Sequence, residues 1–130
     1  MTKSSKSAPG VATHALVRKP NRRWLVALVV ALAMQVIALY SPDGPAGPSI
    51  SGLDKVIHVV IFAVPAFAAV RTGISAPRAL GVLAVHAPVS ELIQGLALSH
   101  RAGDVLDVMA DLGGVALGWL AYVVWSRRQH

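Results

Sequence analysis

Residues 53–70 read LDKVIHVVIFAVPAFAAV, an apolar run that carries three ionisable side chains close to its start. Three further runs of similar apolar character occur elsewhere in the chain, at residues 24–40, 79–98 and 105–125. A helix that crosses a bilayer needs about 20 predominantly apolar residues, with a range of about 17–25. All four runs meet this requirement. The sequence therefore predicts an all-α integral membrane bundle of four transmembrane helices.

The composition of the 130-residue chain agrees with this prediction. Hydrophobic residues make up 55% of it, charged residues 14%, and the mean hydropathy is +0.60, which is too apolar for an ordinary soluble domain. The absence of cysteine excludes thiol chemistry and cysteine-ligated metals. The net charge of +6 comes from residues that flank the apolar runs, which predicts a lipid bilayer and no nucleic acid as partner. We expect a basic, disordered tail over residues 1–20 and the membrane domain over residues 21–126.

The basic residues are distributed unevenly between the two sides of the predicted bundle. If the helices alternate in direction, ten of the twelve Lys and Arg residues fall on the side of the termini. Only Lys55 and Arg101 fall on the other side. Positive charges concentrate in cytoplasmic segments, so we expect a multi-pass protein of a bacterial cell membrane with both termini in the cytoplasm.

Two serines predict helix starts. Ser51 and Asp54 have the spacing of a capping box, which would open the second helix. Ser75 stands shortly before Pro77 and predicts the start of the third helix.

Polar side chains gather in the outer halves of the predicted helices. Asp54 and His58 are four residues apart and Glu91 and Gln94 are three apart, so each pair shares one helix face. A charge inside a span costs roughly 2.5–3.5 kcal/mol at the helix centre, and such residues usually mark a functional site.

The fourth helix carries a stripe that is polar at its start and small further along. Asp104, Asp107 and Asp111 follow this stripe, and Gly114 and Gly118 continue it. Small residues four apart favour close helix packing in membranes, so the stripe is expected to face the bundle interior. The polar groups would then form a polar cup that opens to the outside above an apolar floor. Such a floor argues against a channel or pump, which needs polar access from both sides.

Several of these residues also have a purely structural interpretation. Asp54 and Asp104 can cap helices, Lys55 can extend its ammonium to the membrane interface, and Gln94 can hydrogen-bond another helix. His86 is expected to be a core histidine bonded to a backbone carbonyl.

Glu91, Asp107 and Asp111 lie within the apolar zone without a nearby base in the sequence, which favours a role in a site. Together with the other two carboxylates of the cup they face only two basic side chains, so the excess must be protonated, hydrated or neutralised by a cation. A divalent cation held by Asp107, Asp111 and His58 is one interpretation. A proton shared at Glu91 is the other. The sequence identifies no further cofactor.

The polar residues occur in three groups with defined spacing. These are Asp54-Lys55-Val56-Ile57-His58 with Phe62, then Ser90-Glu91-Leu92-Ile93-Gln94, then Arg101-Ala102-Gly103-Asp104 followed by Asp107, Asp111 and Gly113-Gly114. In this order, over roughly residues 51–121, they resemble the VanZ-like membrane family. The chain departs from the family pattern at Asp111, where the family usually has Asn. It departs again at Ser99-His100, where Pro-Gly commonly precedes the arginine.

The resemblance implies a four-helix integral membrane protein of the cell envelope. The founding member of the family is associated with low-level resistance to the glycopeptide teicoplanin. The resemblance therefore implies a connection with antibiotic resistance for this chain.

The residues and the resemblance lead to one functional hypothesis with two alternatives. The polar cup would bind an anionic envelope molecule, with lipid-linked molecules among the candidates. Arg101 and Lys55 would hold the anion, and Glu91 and His58 are the acid/base candidates if the cup acts on it. The remaining binding residues would be Gln94, Asp54, Asp104, Asp107 and Asp111. The alternatives are a non-catalytic binding or interaction protein that uses the same cup, and a proton- or ion-linked transporter, which the apolar floor disfavours.

Overall fold

The computed structural model describes residues 21–41, 52–98 and 104–129. These residues form four α-helices and no β-strand. The helices are α1 (Arg22–Tyr40), α2 (Leu53–Arg71), α3 (Ala76–Ala97) and α4 (Val105–Arg127). The predicted all-α architecture is confirmed, and each helix is long and apolar enough to cross a membrane. The predicted tail over residues 1–20, and also Arg101, lie outside the described residues.

Helix α2 begins at Leu53 as predicted, but the caps of α2 and α3 differ from the sequence predictions. The residue that caps α2 is Gly52, whose φ of 83° is a backbone conformation that glycine adopts readily, so the predicted capping box from Ser51 is wrong. Ser75 does precede α3, as predicted, but its side chain makes no capping hydrogen bond. Helix α3 begins at Ala76 and includes Pro77 in its first turn. Proline is tolerated there because the N–H groups of the first turn have no acceptor within the helix. It therefore starts three residues before the predicted apolar run.

The helices run antiparallel, which brings their polar segments to one end of the bundle. At that end Lys55, near the start of α2, donates a hydrogen bond to Asp104, just before α4, at 2.9 Å. At the other end the N–H of Asn21, before α1, donates to the carbonyl of Thr72, after α2, at 3.2 Å.

Helices α2 and α4 form the most extensive contact of the bundle. A Cβ atom added at Gly114 would lie 2.9 Å from the Cβ of Phe62 and would clash with the carbonyl oxygen of Val59. One added at Gly118 would lie 2.8 Å from the Cβ of Ala66. The glycine stripe of α4 therefore lies directly against the backbone of α2, and the predicted close packing is confirmed.

An apolar cluster lies one helical turn from the polar residues. Its fully buried members include Leu39, Phe62, Ala66 and Ala87, with Val115 and Leu83 almost as well covered. Phe62 follows His58 by four residues on α2, and Val115 follows Asp111 by four residues on α4. The apolar floor expected beneath the polar cup is therefore present among the described residues.

The outward faces of the helices are apolar as well. Large side chains such as Val82, Leu96 and Val105 are 71%, 80% and 76% exposed. Soluble monomers rarely expose contiguous apolar patches of more than a few hundred Å². A lipid bilayer is the environment that accommodates this surface, so the chain is a multi-pass membrane protein.

Candidate functional site

The start of α2, the end of α3 and the start of α4 together form the polar cup. Its residues are Asp54, Lys55 and His58 from α2, Glu91 and Gln94 from α3, and Asp104, Asp107 and Asp111 at and after the start of α4. Within it His58, Glu91, Gln94, Asp107 and Asp111 are buried. The structure thus brings together all of the predicted site residues that it describes.

His58 lies at the centre of the cup and has a different environment on each side of its ring. Its Nδ1 donates to Oδ1 of Asp111 at 2.8 Å and lies 3.8 Å from Oε1 of Glu91. Its Nε2 lies 3.9 Å from Oδ1 of Asp54 and 4.0 Å from Oδ2 of Asp107, distances that are too long for hydrogen bonds. The imidazole therefore connects an inner pair of carboxylates with an outer pair.

The inner side of the cup contains a polar atom without a partner. Asp111 is fully buried, and its Oδ2 makes no hydrogen bond with any described residue. Burying a carboxylate oxygen without a partner is costly, because the charge loses its hydration without compensation.

Glu91 is held by hydrogen bonds at both of its oxygens. Gln94 donates to Oε1 at 3.1 Å, and the backbone N–H of Asp104 donates to Oε2 at 3.0 Å. The first bond lies within α3 and the second joins α3 to the start of α4. These bonds fix the direction of the Glu91 carboxylate toward His58.

Lys55 neutralises the outer carboxylates. Its Nζ donates to Oδ2 of Asp104 at 2.9 Å and to Oδ1 of Asp107, and it lies 4.0 Å from Asp54. The interpretation that Lys55 merely extends to the interface is therefore wrong, because its ammonium joins α2 to α4. This engagement also leaves Lys55 poorly placed to hold an added anion.

Asp104 has both of the roles considered from the sequence. As the N-cap of α4 it accepts a hydrogen bond from the N–H of Leu106 at 2.9 Å, and it also pairs with Lys55. The Leu106 N–H and then the Lys55 ammonium lower the pKa of the Asp104 carboxyl.

Two overlapping groups of side chains have the spacing of a metal site. One is Asp54, His58 and Asp107, and the other is His58, Glu91 and Asp111. In each group the three candidate ligand atoms lie within 4.8 Å of one another. The second group is entirely buried, whereas the first includes the exposed Asp54.

An apolar groove between α3 and α4 leads to the cup. It has a volume of about 400 Å³, and its polar lining residues are Glu91 and Asp104. Its apolar lining includes Leu92, Leu96 and Val108. The groove therefore combines a polar end with an apolar length, which is the shape complement of an amphiphile.

Two polar features were not anticipated from the sequence. Nε2 of His86 is hydrogen-bonded to the hydroxyl of Tyr40 at 3.3 Å, a side-chain partner, whereas the sequence analysis expected a backbone carbonyl. Gln35 is fully buried, and neither amide atom finds a partner among the described residues. The only sequence signal for Gln35 is that it interrupts an otherwise apolar run.

Comparisons of the chain with protein-family models, with curated proteins and with solved structures give no match.

Proposed function

We propose that this chain is a bacterial envelope membrane protein whose polar cup binds an anionic, lipid-linked envelope molecule. The observation that supports this proposal best is the groove between α3 and α4, which joins an apolar wall to Glu91 and Asp104. A lipid chain would lie against Leu92 and Leu96, and its polar head would reach the mouth of the cup. Arg101 precedes α4 in the sequence, and its forked guanidinium suits a phosphate or carboxylate group.

The geometry also supports proton transfer in the cup. Asp111 accepts the Nδ1 proton of His58, which orients the ring and leaves Nε2 facing the outer carboxylates. A histidine oriented by a carboxylate is a common general base, and the Glu91 carboxylate, 3.8 Å from the same ring, is a second group that can accept a proton. His58 and Glu91 are therefore our acid/base candidates if the bound molecule is transformed. If it is only held, the same cup serves a non-catalytic binding protein.

Binding of a defined lipid tests the proposal directly. The purified full chain, examined by native mass spectrometry, should bind a polyprenyl phosphate more tightly than the uncharged polyprenol of the same length. Leu96→Trp should weaken this binding by filling the groove, and Arg101→Gln should reduce the preference for the phosphate. Val82→Trp is the matched control, since Val82 is a similarly exposed α3 residue that does not line the groove. Equal binding of the two lipids, or equal loss with both Trp variants, would contradict the proposal.

The resemblance to the VanZ-like family extends the proposal to antibiotic resistance. Expression of the chain should then raise the teicoplanin concentration that host cells tolerate. Glu91→Gln should remove the effect while the protein remains in the membrane. A variant as protective as the wild type would remove the link between the polar cup and resistance.

A further inference from the structure

The inner side of the polar cup places two carboxylates next to each other in a dry environment. Glu91 is 5% exposed and Asp111 is fully buried, and His58, which lies between them, is 3% exposed. The candidate ligand atoms of these three residues are all within 4.8 Å of one another. Two like charges at this separation repel strongly where water does not screen them. A positive charge at the trio would relieve this repulsion.

The described basic side chains do not supply enough positive charge there. The Lys55 ammonium is engaged by Asp104 and Asp107 on the outer side of the cup. A protonated His58 would balance only one of the two inner carboxylates. A divalent cation would balance both with His58 neutral, and the trio would then carry no net charge.

The unpartnered oxygen of Asp111 points to the same conclusion. Oδ1 of Asp111 is bonded to His58, whereas the buried Oδ2 has no hydrogen-bond partner among the described residues. A charged oxygen is rarely left in this state in a protein interior. A bound cation would give the carboxylate the partner that the surrounding side chains do not provide.

We propose that His58, Glu91 and Asp111 bind one divalent metal ion, through Nδ1 of the histidine, the carboxylate of Asp111 and one oxygen of Glu91. Metal–ligand bonds of about 2.0–2.2 Å hold neighbouring ligand atoms roughly 3–3.5 Å apart. Nδ1 of His58 is 2.8 Å from Oδ1 of Asp111 and 3.8 Å from Oε1 of Glu91, one distance shorter and one longer than this spacing. Binding requires that the ion replace the proton between His58 and Asp111. The hydrogen bonds from Gln94 and from the Asp104 amide already orient Glu91, as outer partners do in metal sites.

The ligand set selects among ions. One imidazole nitrogen with two carboxylates suits Mn²⁺, Fe²⁺ or Zn²⁺, whereas Mg²⁺ and Ca²⁺ prefer oxygen ligands alone. The metal site itself does not depend on the proposed function. Only the role of the ion rests on that function, because the ion would present positive charge to the anion in an otherwise acidic cup. His58 and Glu91 would then act as metal ligands, and their acid/base role would lapse.

Titration of the full chain in detergent, after treatment with a chelator, tests the site. Calorimetry should show one Mn²⁺ or Zn²⁺ ion per chain, and weaker binding of Mg²⁺ and Ca²⁺. Asp111→Asn and Glu91→Gln should each weaken binding by about tenfold or more, since even the loss of an outer partner costs about 10–100-fold. Asp54→Asn distinguishes this trio from the outer group of Asp54, His58 and Asp107, because Asp54 faces the opposite nitrogen of the same histidine. An ion held by the inner trio should lose much less affinity in Asp54→Asn than in Asp111→Asn.

Pulsed electron paramagnetic resonance of wild-type protein with Mn²⁺ provides a measurement that needs no variant to fold. A nitrogen coupling from His58 is expected. Absence of saturable binding, absence of the nitrogen coupling, or loss of binding in Asp54→Asn but not in Asp111→Asn would overturn the site. Failure of the polyprenyl phosphate to bind a metal-loaded chain would instead defeat the proposed function and leave the metal site standing.

Discussion

At the scale of single residues, Lys55 determines the charge balance of the outer side of the polar cup. Its ammonium contacts the carboxylates of Asp104 and Asp107 and lies 4.0 Å from Asp54. Asp107 is buried and depends on this contact, whereas the Asp54 side chain is 56% exposed and is largely hydrated. Loss of the Lys55 contact should therefore lower the free energy of unfolding more through Asp107 than through Asp54.

Replacing Lys55 tests this difference. Lys55→Met keeps most of the length of the side chain but removes the ammonium, so the buried Asp107 carboxylate is left without its cation. We expect the free energy of unfolding, measured by SDS titration in mixed micelles, to fall by about 1–3 kcal/mol. Asp54→Asn removes only the long contact and should change it by less than about 0.5 kcal/mol. The double variant Lys55→Met/Asp107→Asn should recover part of the lost free energy of unfolding, because the unpaired carboxylate is removed. A double variant no more stable than Lys55→Met would contradict the pairing.

The same residues show what local spacing predicts and where it stops. The four-residue interval correctly placed Asp54 and His58 on one face of α2, but Nε2 of His58 is 3.9 Å from Oδ1 of Asp54. The partner that His58 hydrogen-bonds is Asp111, which is 53 positions further along the chain. Helical spacing identifies residues that share a face. It does not rank partners on other helices, because that depends on how the helices are packed.

At the scale of helices, the contact between α2 and α4 holds the cup together. Gly114 lies against the backbone of α2, while at the adjacent Gly113 no other described element has an atom within 4 Å of the position that a Cβ would take. Two neighbouring glycines of one helix therefore differ only in which side they face.

These two glycines make a matched pair of variants. Gly114→Ala would place a methyl group against Val59 and Phe62 and should lower the free energy of unfolding by about 1–3 kcal/mol. Gly113→Ala should be neutral or stabilising by up to about 1 kcal/mol, because alanine restricts the unfolded chain more than glycine. SDS titration of both variants measures the difference. Equal effects would show that α2 does not approach α4 as closely as the structure has it.

Hydropathy predicted the helices to within three residues at every described end, because burial in lipid requires long apolar runs. The largest boundary error is at the start of α3, where Pro77 lies in the first turn, and at α2 only the capping residue, Gly52, differs from the prediction. Pro88 lies inside α3 close to Glu91, and the helix continues through it to Ala97. The face that each helix buries was predicted best for α4, where glycines and carboxylates follow a single stripe.

At the scale of the whole molecule, the described arginines and the described carboxylates lie at opposite ends of the bundle. These carboxylates are in the polar cup together with Lys55, and the arginines lie at the other end. There the guanidinium of Arg71 is 4.5 Å from the ring centre of Trp24 and 3.3 Å from that of Trp125. Cations stacked on tryptophans are common at membrane interfaces, because the rings are amphipathic and the charge stays hydrated.

The charge separation predicts the orientation of the protein in the cell membrane. If the arginine end is cytoplasmic, Gly47 before α2 lies outside the cell and Ser75 before α3 lies inside. The chain has no cysteine, so Gly47→Cys and Ser75→Cys each provide a single thiol. A membrane-impermeant thiol reagent should label Gly47→Cys in intact cells and both variants after permeabilisation, while the cysteine-free chain gives the background. Labelling of Ser75→Cys alone in intact cells would invert the bundle. The polar cup would then open to the cytoplasm, where it could not bind a molecule on the outer surface, so this measurement also tests the premise of the proposed function.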